Sequence, residues 1–335
     1  MHIQYNTSLK LYNTFGIDAT AEKFIAIQDI NDWIEILKSD TPKPIQILGG
    51  GSNILLTKPV QGTLVWNQIK GKEIVYENED IIKLKCNSGE VWHNVVMWCV
   101  EHGYGGIENM ALIPGTIGAA PIQNIGAYGV ELKDVFVSLE AIDNTNGELK
   151  ILSKEDCELG YRNSIFKQKE KGRYFITAVT LQLQKKPILK TTYGNIMDSI
   201  QHIPKVQLSI QDVAQAVIQI RQSKLPNPSE IGNAGSFFKN PIISESLYQT
   251  LLQQYPAMPH YKTDEGYKIP AGWLIEQAGW KGYRKEEVGV HEKQALVLVN
   301  YGHANGQAVI DLAHTIIQNI ATIFSIQLEP EVNIW

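Results

Sequence analysis

At roughly 150 residues per domain, a chain of 335 residues has room for two or three domains and for a sizeable core. Hydrophobic residues make up 44% of the chain and charged residues 19%, which excludes disorder for the bulk of it. The formal net charge of −5 excludes a general attraction for nucleic acid or anionic membranes, so any anionic ligand must be held by a local site.

Several further classes are disfavoured by the sequence. The longest aliphatic run, from Ala295 to Val299, is far too short to span a membrane. The first ten residues show neither the basic start nor the apolar core of a signal peptide, so we expect a cytoplasmic protein. Cys86, Cys99 and Cys157 are odd in number and lack C-x-x-C spacing, which favours reduced thiols. The histidines show no His-x-x-x-His pair, so no metal site is predicted.

Short apolar runs between turn residues predict a strand-rich N-terminal half. A helix is also predicted there, because apolar residues recur at helical spacing from Val91 to Val100. Ser88 and Glu90 precede this run, and Gly103 follows where a left-handed stop is expected. The predicted strands lie at 23–27, 45–48, 63–66, 74–76 and 81–86.

Glycine is concentrated at two places in this half. Gly49, Gly50 and Gly51 follow the strand at 45–48, and seven of the 27 glycines lie between 103 and 129. Glycine lets main-chain N–H groups approach a flat or anionic ligand closely. The 49–53 turn matches neither a P-loop nor a dinucleotide fingerprint, which would need a glycine at 54 and a following helix. A tight turn without a ligand is the alternative interpretation.

The pattern changes near 185–187, and the chain becomes mainly helical from about 207. Ser209 and Asp212 form a capping box before an apolar helical run. Before this boundary, strands are predicted at 135–143 and 174–184; after it come helices at 245–254, 270–277 and 307–324, and a strand at 294–301.

Five motifs in one order closely resemble the UDP-N-acetylenolpyruvoylglucosamine reductase family, flavoenzymes of bacterial cell-wall precursor synthesis. The resemblance extends from about residue 9 to residue 332. Tyr193 and the segment 258–261 resemble the subtype with a tyrosine-bearing substrate loop. The five motifs are Gly49 to Asn53, Pro114 to Gly129, Tyr161 to Ser164, Gly235 to Pro241 and Leu328 to Val332.

The resemblance implies an α+β fold in which an FAD-binding domain of the vanillyl-alcohol-oxidase (PCMH) type covers 1–200. A smaller α+β substrate-binding domain would cover 201–325, and a tail at 326–335 would return to the active site. It also implies non-covalent FAD, NADPH as reductant and a UDP-sugar substrate, without nucleic acid, membrane or an obligate protein partner.

The resemblance also assigns roles to individual residues. Ser236 would be the proton donor, while Arg162 and Glu331 would stabilise the charge that develops on the substrate. FAD would be bound by Gly49, Gly50, Gly51, Ser52, Asn53, Pro114, Gly115, Gly118, Ala119, Gln123, Asn124, Gly126, Ala127 and Tyr128. The UDP-sugar would be contacted by Tyr193, Lys224, Asn240, Tyr261, Lys268 and Gln294.

The chain departs from the family pattern at two points. Asn333 stands where family members often have an arginine, and the loop from Tyr261 to Lys268 is about one residue shorter. Two other functions compete with the reductase. A flavin oxidase of the same fold would act on a sugar or alcohol, and a nucleotide-binding protein would perform no catalysis.

Overall fold

The computed structural model describes residues 1–335, which form two compact units. The first unit comprises Met1–Thr7, Glu22–Gly50 and Gln61–Ser223. The second comprises Ser8–Ala21, Gly51–Val60 and Lys224–Trp335. Two short N-terminal segments therefore belong to the unit that contains the C-terminal part of the chain.

Helices and strands occur in both units, which confirms the predicted α+β class. The helices are α1 (Ile30–Lys38), α2 (Trp92–Glu101), α3 (Lys154–Cys157), α4 (Ile196–Ile200), α5 (Ile210–Lys224), α6 (Glu245–Gln254), α7 (Ala271–Gln277) and α8 (Gly306–Phe324). The strands are β1 (His2–Ser8), β2 (Thr20–Ile27), β3 (Ile45–Leu48), β4 (Ile54–Leu55), β5 (Val60–Asn67), β6 (Lys72–Glu77), β7 (Ile81–Asn87), β8 (Gly126–Ala127), β9 (Val130–Glu131), β10 (Phe136–Asp143), β11 (Leu149–Ser153), β12 (Tyr174–Gln184), β13 (Ile242–Ile243), β14 (Tyr261–Thr263), β15 (Gly266–Lys268), β16 (Arg284–Lys285), β17 (Val288–Val290), β18 (Leu298–Asn300) and β19 (Asn333–Ile334).

The larger sheet of the first unit has five antiparallel strands in the order β11-β10-β12-β7-β6. Ile82, Leu84 and Cys86 of β7 are buried together, because alternate side chains of a strand share one face. Val95 and Cys99 of α2 belong to the same apolar cluster. The strand predicted at 81–86 and the helix predicted from Val91 to Val100 therefore contribute to one apolar core.

The smaller sheet of the first unit has the order β1-β2-β5-β3, with β3 parallel to β5. Trp33 and Ile36 of α1 pack in a cluster with Ile25 of β2. This helix was not predicted from the sequence. Asp29 and Asp32 form a capping box at its start, which is the local signal that could have revealed it.

The structure divides the chain differently from the predicted boundary after residue 200. Helix α5 contributes Ala214 and Val217 to the core of the first unit. In addition, Gln211 Nε2 donates to the carbonyl oxygen of Val100 at 3.0 Å. These contacts place the helix with the first unit as far as Ser223. Its predicted capping box is confirmed, since Asp212 N–H donates to Ser209 Oγ.

The last residues are an integral part of the second unit rather than a separate tail at 326–335. Strand β19 pairs in parallel with β4, which follows the predicted glycine turn. The backbone N–H of Glu331 donates to the Phe237 carbonyl oxygen at 2.8 Å. Helix α8 packs against β17 and β18 of the same unit.

Two local features depend on contacts that the sequence pattern does not show. Helix α2 has no side-chain cap. Instead, Ser88 Oγ accepts from Asn67 Nδ2 at 2.7 Å, and the Glu90 carboxylate accepts from the N–H of Gly71. The predicted strand at 294–301 is shorter, because Gln294 forms a turn in which its carbonyl accepts from Val297 N–H. Within the predicted range, only β18 is a strand.

The cysteines are buried, and burial raises the pKa of the Cys86 and Cys157 thiols to about 12. These two thiols therefore stay protonated near neutral pH. None of the helices is both long enough and apolar enough to cross a bilayer. No group of three histidine, cysteine or acidic side chains is arranged to hold a metal ion.

Candidate active site

In the first unit, Gly49 and Gly50 of the first glycine motif lie in direct contact with the second glycine motif. A Cβ atom added to Gly50 would lie 3.0 Å from Gly115 Cα, and one added to Gly49 would lie 2.7 Å from Thr116 Oγ1. Side chains at these positions would press the two segments apart, because both contacts are tighter than an ordinary van der Waals contact. The glycines therefore bring two stretches of backbone together, as a cradle for a flat or anionic group requires.

The second glycine segment is fixed by backbone hydrogen bonds to the chain before and within α2. Gly115 O accepts from Trp92 N–H at 3.0 Å, and Gly118 N–H donates to Ser88 O at 2.8 Å. A Cβ atom at Gly118 would meet Ser88 Cβ at 2.6 Å. The absence of a side chain at Gly118 is thus explained by packing within the protein. A short 3-10 helix, Ile117–Gln123, continues the segment.

Asn124 ends this 3-10 helix in the left-handed conformation, with φ of +44°. Its side chain is buried and fully engaged within the first unit. The Nδ2 atom donates to the Gly160 carbonyl at 2.9 Å, and Oδ1 accepts from Lys133 N–H at 2.9 Å. Asn124 therefore holds the loop in shape, and its predicted contact with FAD stays a prediction.

Gly51 is the other predicted cofactor residue that is buried within the protein. It has φ of +61°, and a Cβ atom there would lie 1.9 Å from Tyr12 O. Close backbone approach accounts for glycine at this position. Surface remains accessible at the other predicted FAD contacts: Gly49, Gly50, Ser52, Asn53, Pro114, Gly115, Gly118, Ala119, Gln123, Gly126, Ala127 and Tyr128.

Arg162 is held next to the predicted flavin segment. Its Nη2 atom donates to the carbonyl oxygen of Gly126 at 3.2 Å, which fixes the orientation of the guanidinium. The residue has φ of +51°, a conformation that costs about 1–3 kcal/mol for a non-glycine residue. Asn124 and Tyr128, in the same unit, share this positive φ. Strained residues of this kind cluster at active sites.

Tyr193 lies beside Tyr128. A Cβ atom at Gly129 would be 3.3 Å from Tyr193 Cβ, and one at Gly194 would be 3.5 Å from Tyr128 Cδ1. Burial raises the pKa of the Tyr128 hydroxyl, which therefore stays protonated at neutral pH. Asn109 ties the two loops together, because its Nδ2 donates to the carbonyls of Tyr128 and Lys190.

Arg221 is a candidate that the sequence interpretation missed. Its Nε atom is buried and has no hydrogen-bond partner in the protein. Burial lowers the pKa of its guanidinium; the Tyr128 hydroxyl opposes this shift, whereas the positive charge of Arg162 adds to it. Arg221 also lowers the pKa of His93, in addition to the larger effect of burial. A half-buried cation with a buried, unpartnered donor atom favours an anionic ligand.

The sequence contains one pattern that indicates a role for Arg221. It precedes Lys224 by three residues on α5, a spacing that places both cations on the same helix face. The predicted substrate contact at Lys224 could therefore have pointed to Arg221 as a second cation.

In the second unit, the structure brings Ser236 and Glu331 onto neighbouring backbone segments. Phe237 N–H donates to Leu296 O at 2.8 Å, while Phe237 O accepts from Glu331 N–H at 2.8 Å. Gly235 before the serine has φ of +71°. Ser236 is exposed and Glu331 is half-buried, so both side chains are accessible to a ligand.

Asn53 joins this pair from the N-terminal part of the second unit. Its Nδ2 donates to Glu331 O at 3.4 Å, and its own carbonyl accepts from the Asn333 N–H at 3.1 Å. Asn333 Nδ2 also donates to Asn53 O at 2.9 Å. The residue that replaces the family's arginine therefore ties the C-terminal segment to the glycine turn.

Four predicted substrate residues form two pairs in the second unit. Asn240 Oδ1 accepts from Ala271 N–H at 2.9 Å, and Gln294 Oε1 lies 3.2 Å from a Cβ atom placed on Gly272. These two amides thus converge at the start of α7. Tyr261 and Lys268 are the second pair: they lie opposite each other in the β14–β15 hairpin, with Lys268 Nζ 5.9 Å from the Tyr261 ring centroid.

Two predicted substrate residues remain, Lys224 and Tyr193. Lys224 is exposed at the end of α5, and Tyr193 belongs to the first unit.

Replacing Gly50 by alanine tests the glycine cradle. The new Cβ would press on Gly115 Cα, and overpacking of this kind should raise the dissociation constant for FAD by about 5- to 100-fold. Titration of apoprotein with FAD, followed by flavin fluorescence, measures the change. Gly160→Ala is the matched control, since its Cβ would make only an ordinary contact at 3.8 Å. Unchanged affinity in Gly50→Ala would exclude the cradle.

Comparisons with known proteins agree with the resemblance in the sequence. Residues 227–335 match the family model described as UDP-N-acetylenolpyruvoylglucosamine reductase, C-terminal domain. Residues 21–153 match the family model described as FAD binding domain. These matches fall in the two regions for which substrate binding and FAD binding were predicted.

Full-length relatives and a solved structure extend this similarity. The chain is 50% identical to UDP-N-acetylenolpyruvoylglucosamine reductase of Amoebophilus asiaticus over 100% of this chain and 99% of the relative. It is 46% identical to the protein of that name from Flavobacterium johnsoniae, over 100% of both chains. The crystal structure of UDP-N-acetylenolpyruvylglucosamine reductase from Thermus caldophilus shares the fold, with a TM-score of 0.69, 21% identity and coverage of 100% of this chain and 99% of that chain. The chain therefore belongs to the UDP-N-acetylenolpyruvoylglucosamine reductase family.

Proposed function

We propose that this protein reduces the enolpyruvyl group of UDP-N-acetylglucosamine-enolpyruvate to UDP-N-acetylmuramate, with bound FAD and with NADPH as the reductant. This is a step in the synthesis of peptidoglycan precursors. The observation that carries the proposal is the hydrogen bond from Glu331 N–H to Phe237 O, which places Ser236 and Glu331 on adjacent backbone segments, in a chain related over its full length to reductases of this name.

The residues of the first unit fit a non-covalently bound FAD. Gly49 and Gly50 meet the Gly115 segment without side chains, which leaves main-chain N–H groups as donors for a pyrophosphate. Arg221 adds a half-buried cation. Its Nε is buried without a partner in the protein, so it can donate to an anionic or carbonyl-bearing group. We propose Arg221 as a further contact of the FAD-binding unit.

The reaction sets clear demands on the protein. When bound, FAD supplies the hydride that adds to the methylene carbon of the enolpyruvyl group, and NADPH restores the reduced cofactor. Negative charge then develops on the neighbouring carbon and its carboxylate, so fixed hydrogen-bond donors and one proton source are needed.

Arg162 is our candidate for the permanent cation that stabilises this charge. Guanidinium binds a carboxylate through parallel donors and stays charged at any physiological pH. The contact with Gly126 O orients it before the substrate arrives. We propose that Glu331 acts with Arg162 on the developing charge.

Ser236 is our candidate for the proton donor. A free hydroxyl is a weak acid, but the substrate carbanion is a much stronger base than water, so a positioned hydroxyl can protonate it. The backbone bonds of Phe237 to both neighbouring segments hold the serine in a defined place. Its accessibility allows solvent to return the proton afterwards.

The UDP-sugar would be bound by the two pairs of the second unit together with Lys224 and Tyr193. Lys224 and Lys268 offer positive charge to the diphosphate, while Asn240, Gln294 and the tyrosines offer directed hydrogen bonds. NADPH and the UDP-sugar are the only partners that this chemistry needs. We also propose a cytoplasmic location.

An anaerobic titration tests the function directly. The purified, FAD-loaded protein should lose its yellow absorbance when NADPH is added and regain it when UDP-N-acetylglucosamine-enolpyruvate follows. Regain of colour only after admission of air would indicate a flavin oxidase of the same fold. Failure to bind FAD would indicate a nucleotide-binding protein without catalysis. Either of these results would reject the reductase.

A further inference from the structure

An aromatic cluster lies against the hairpin that carries Tyr261 and Lys268. Tyr248 of α6 stacks on Tyr267 of β15 with ring centroids 3.8 Å apart and an angle of 4° between the planes. His260 lies next to both rings, 4.8 Å from Tyr248 and 5.9 Å from Tyr267. We call Tyr248, His260 and Tyr267 the hairpin clamp.

Strand geometry separates the clamp from the predicted substrate contacts. Tyr261 pairs with Lys268 and Lys262 pairs with Tyr267, so each pair occupies one face of the hairpin. His260 precedes Tyr261 and therefore shares the face of Tyr267. The hairpin thus has one face that binds α6 and an opposite face that presents Tyr261 and Lys268.

The hydrogen bonds of the clamp determine its protonation pattern. The Met258 carbonyl can only accept, so His260 Nδ1, at 3.0 Å, must carry a proton. In the neutral imidazole, Nε2 is then an acceptor, and the Tyr248 hydroxyl donates to it at 2.9 Å. Met258 is buried, so this chain of bonds connects the core of the unit to the hairpin.

A second connection anchors the other strand of the hairpin. Burial raises the pKa of the Tyr267 hydroxyl, and its hydrogen bond to the Glu245 carboxylate raises it further. Tyr267 also pairs through its backbone with Ile243 of β13. A Cβ atom at Gly266 would lie 2.3 Å from Ile243 O, so the end of the hairpin is closely packed as well. The back of the hairpin is therefore fixed to α6 and β13 at several points.

We propose that the hairpin clamp positions Tyr261 and Lys268 for the UDP-sugar, so that Tyr248, His260 and Tyr267 are positioning residues for substrate binding. The proposal rests on the function proposed above, and in particular on the assignment of Tyr261 and Lys268 as substrate contacts. The clamp residues do not touch the substrate themselves. Their loss should therefore weaken binding of the UDP-sugar and leave the reaction of NADPH with the enzyme unchanged.

The test uses FAD-loaded enzyme and two variants of Tyr248. Tyr248→Phe keeps the stack and removes only the hydrogen bond to His260, whereas Tyr248→Leu removes both. Calorimetry without NADPH gives the dissociation constant for UDP-N-acetylglucosamine-enolpyruvate, and steady-state kinetics give KM and kcat. For Tyr248→Phe we expect the dissociation constant and KM for the UDP-sugar to rise about 3- to 10-fold. We expect kcat and KM for NADPH to stay within about two-fold of wild type, and Tyr248→Leu to show the larger effect.

Tyr255→Phe is the matched control, because Tyr255 follows the same helix and its ring packs on Trp273 and Phe324. It should leave the dissociation constant for the UDP-sugar, both KM values and kcat unchanged. The clamp would be overturned if Tyr248→Phe bound the UDP-sugar with wild-type affinity. It would also be overturned if kcat fell by the same factor as KM for the UDP-sugar rose. If wild-type enzyme binds the UDP-sugar without reducing it, the proposed function fails while weaker binding by the variants still supports the clamp. If wild-type enzyme does not bind the UDP-sugar, the clamp proposal is rejected.

Discussion

Replacing Ser236 by alanine is expected to uncouple the two halves of the reaction. The variant should be reduced by NADPH at the wild-type rate, because the proton that Ser236 supplies is needed only after hydride reaches the substrate. Reoxidation by the enolpyruvyl substrate should slow by about 10²- to 10⁴-fold, the usual contribution of a positioned general acid. Anaerobic stopped-flow absorbance resolves both half-reactions in one preparation.

The serine assignment has a direct control in the same unit. Ser246 is exposed in the first turn of α6, and Ser246→Ala should change neither half-reaction. If Ser236→Ala reoxidises at the wild-type rate, another group donates the proton. If both half-reactions slow together, Ser236 has a role in flavin binding instead.

Replacing Arg162 by lysine is the second change for which we expect a large loss. Lysine keeps the positive charge but lacks the planar set of donors that matches a carboxylate, and it cannot reproduce the contact from Nη2 to Gly126 O in the same geometry. Loss of one donor oriented before reaction should lower kcat/KM for the enolpyruvyl substrate by about 10²- to 10³-fold. Steady-state assays at saturating NADPH measure this ratio.

A surface arginine provides the comparison for this variant. Arg284 is exposed, and its guanidinium stacks on the Tyr301 ring at 3.8 Å. Arg284→Lys should keep kcat/KM within about two-fold of wild type, because losses at exposed sites are small. A fall of less than about three-fold in Arg162→Lys would show that charge alone is sufficient, and would refute the role of the guanidinium geometry.

Local patterns predicted much of the architecture. The strand predicted at 81–86 matches β7, and its Ile82, Leu84 and Cys86 lie on one buried face because the period of a strand is two. The capping box of Ser209 and Asp212 is present at α5. These features depend on residues close together in the chain, which is why sequence is sufficient to predict them.

Other contacts could not be predicted, because a side chain had a distant partner that the local pattern did not show. Ser88 and Glu90 precede α2, but their side chains bind Asn67 and Gly71 rather than the first turn of the helix. The Asn124 amide bonds to Gly160 and Lys133 and so holds the loop, and its predicted contact with FAD stays a prediction. Each polar group bonds to whichever partner folding brings near it, and that partner can lie anywhere along the chain.

The residues themselves determined the family, the α+β class and the candidate catalytic set, because the motifs occur in one order along almost the whole chain. Tertiary structure alone decided which of these residues meet. It joined the C-terminal strand β19 to β4, brought Glu331 beside Phe237, and placed Arg221, whose Nε is buried, near Arg162. The physical reason is that burial and backbone pairing arise from contacts between distant segments, and such contacts leave no periodic signal in the sequence.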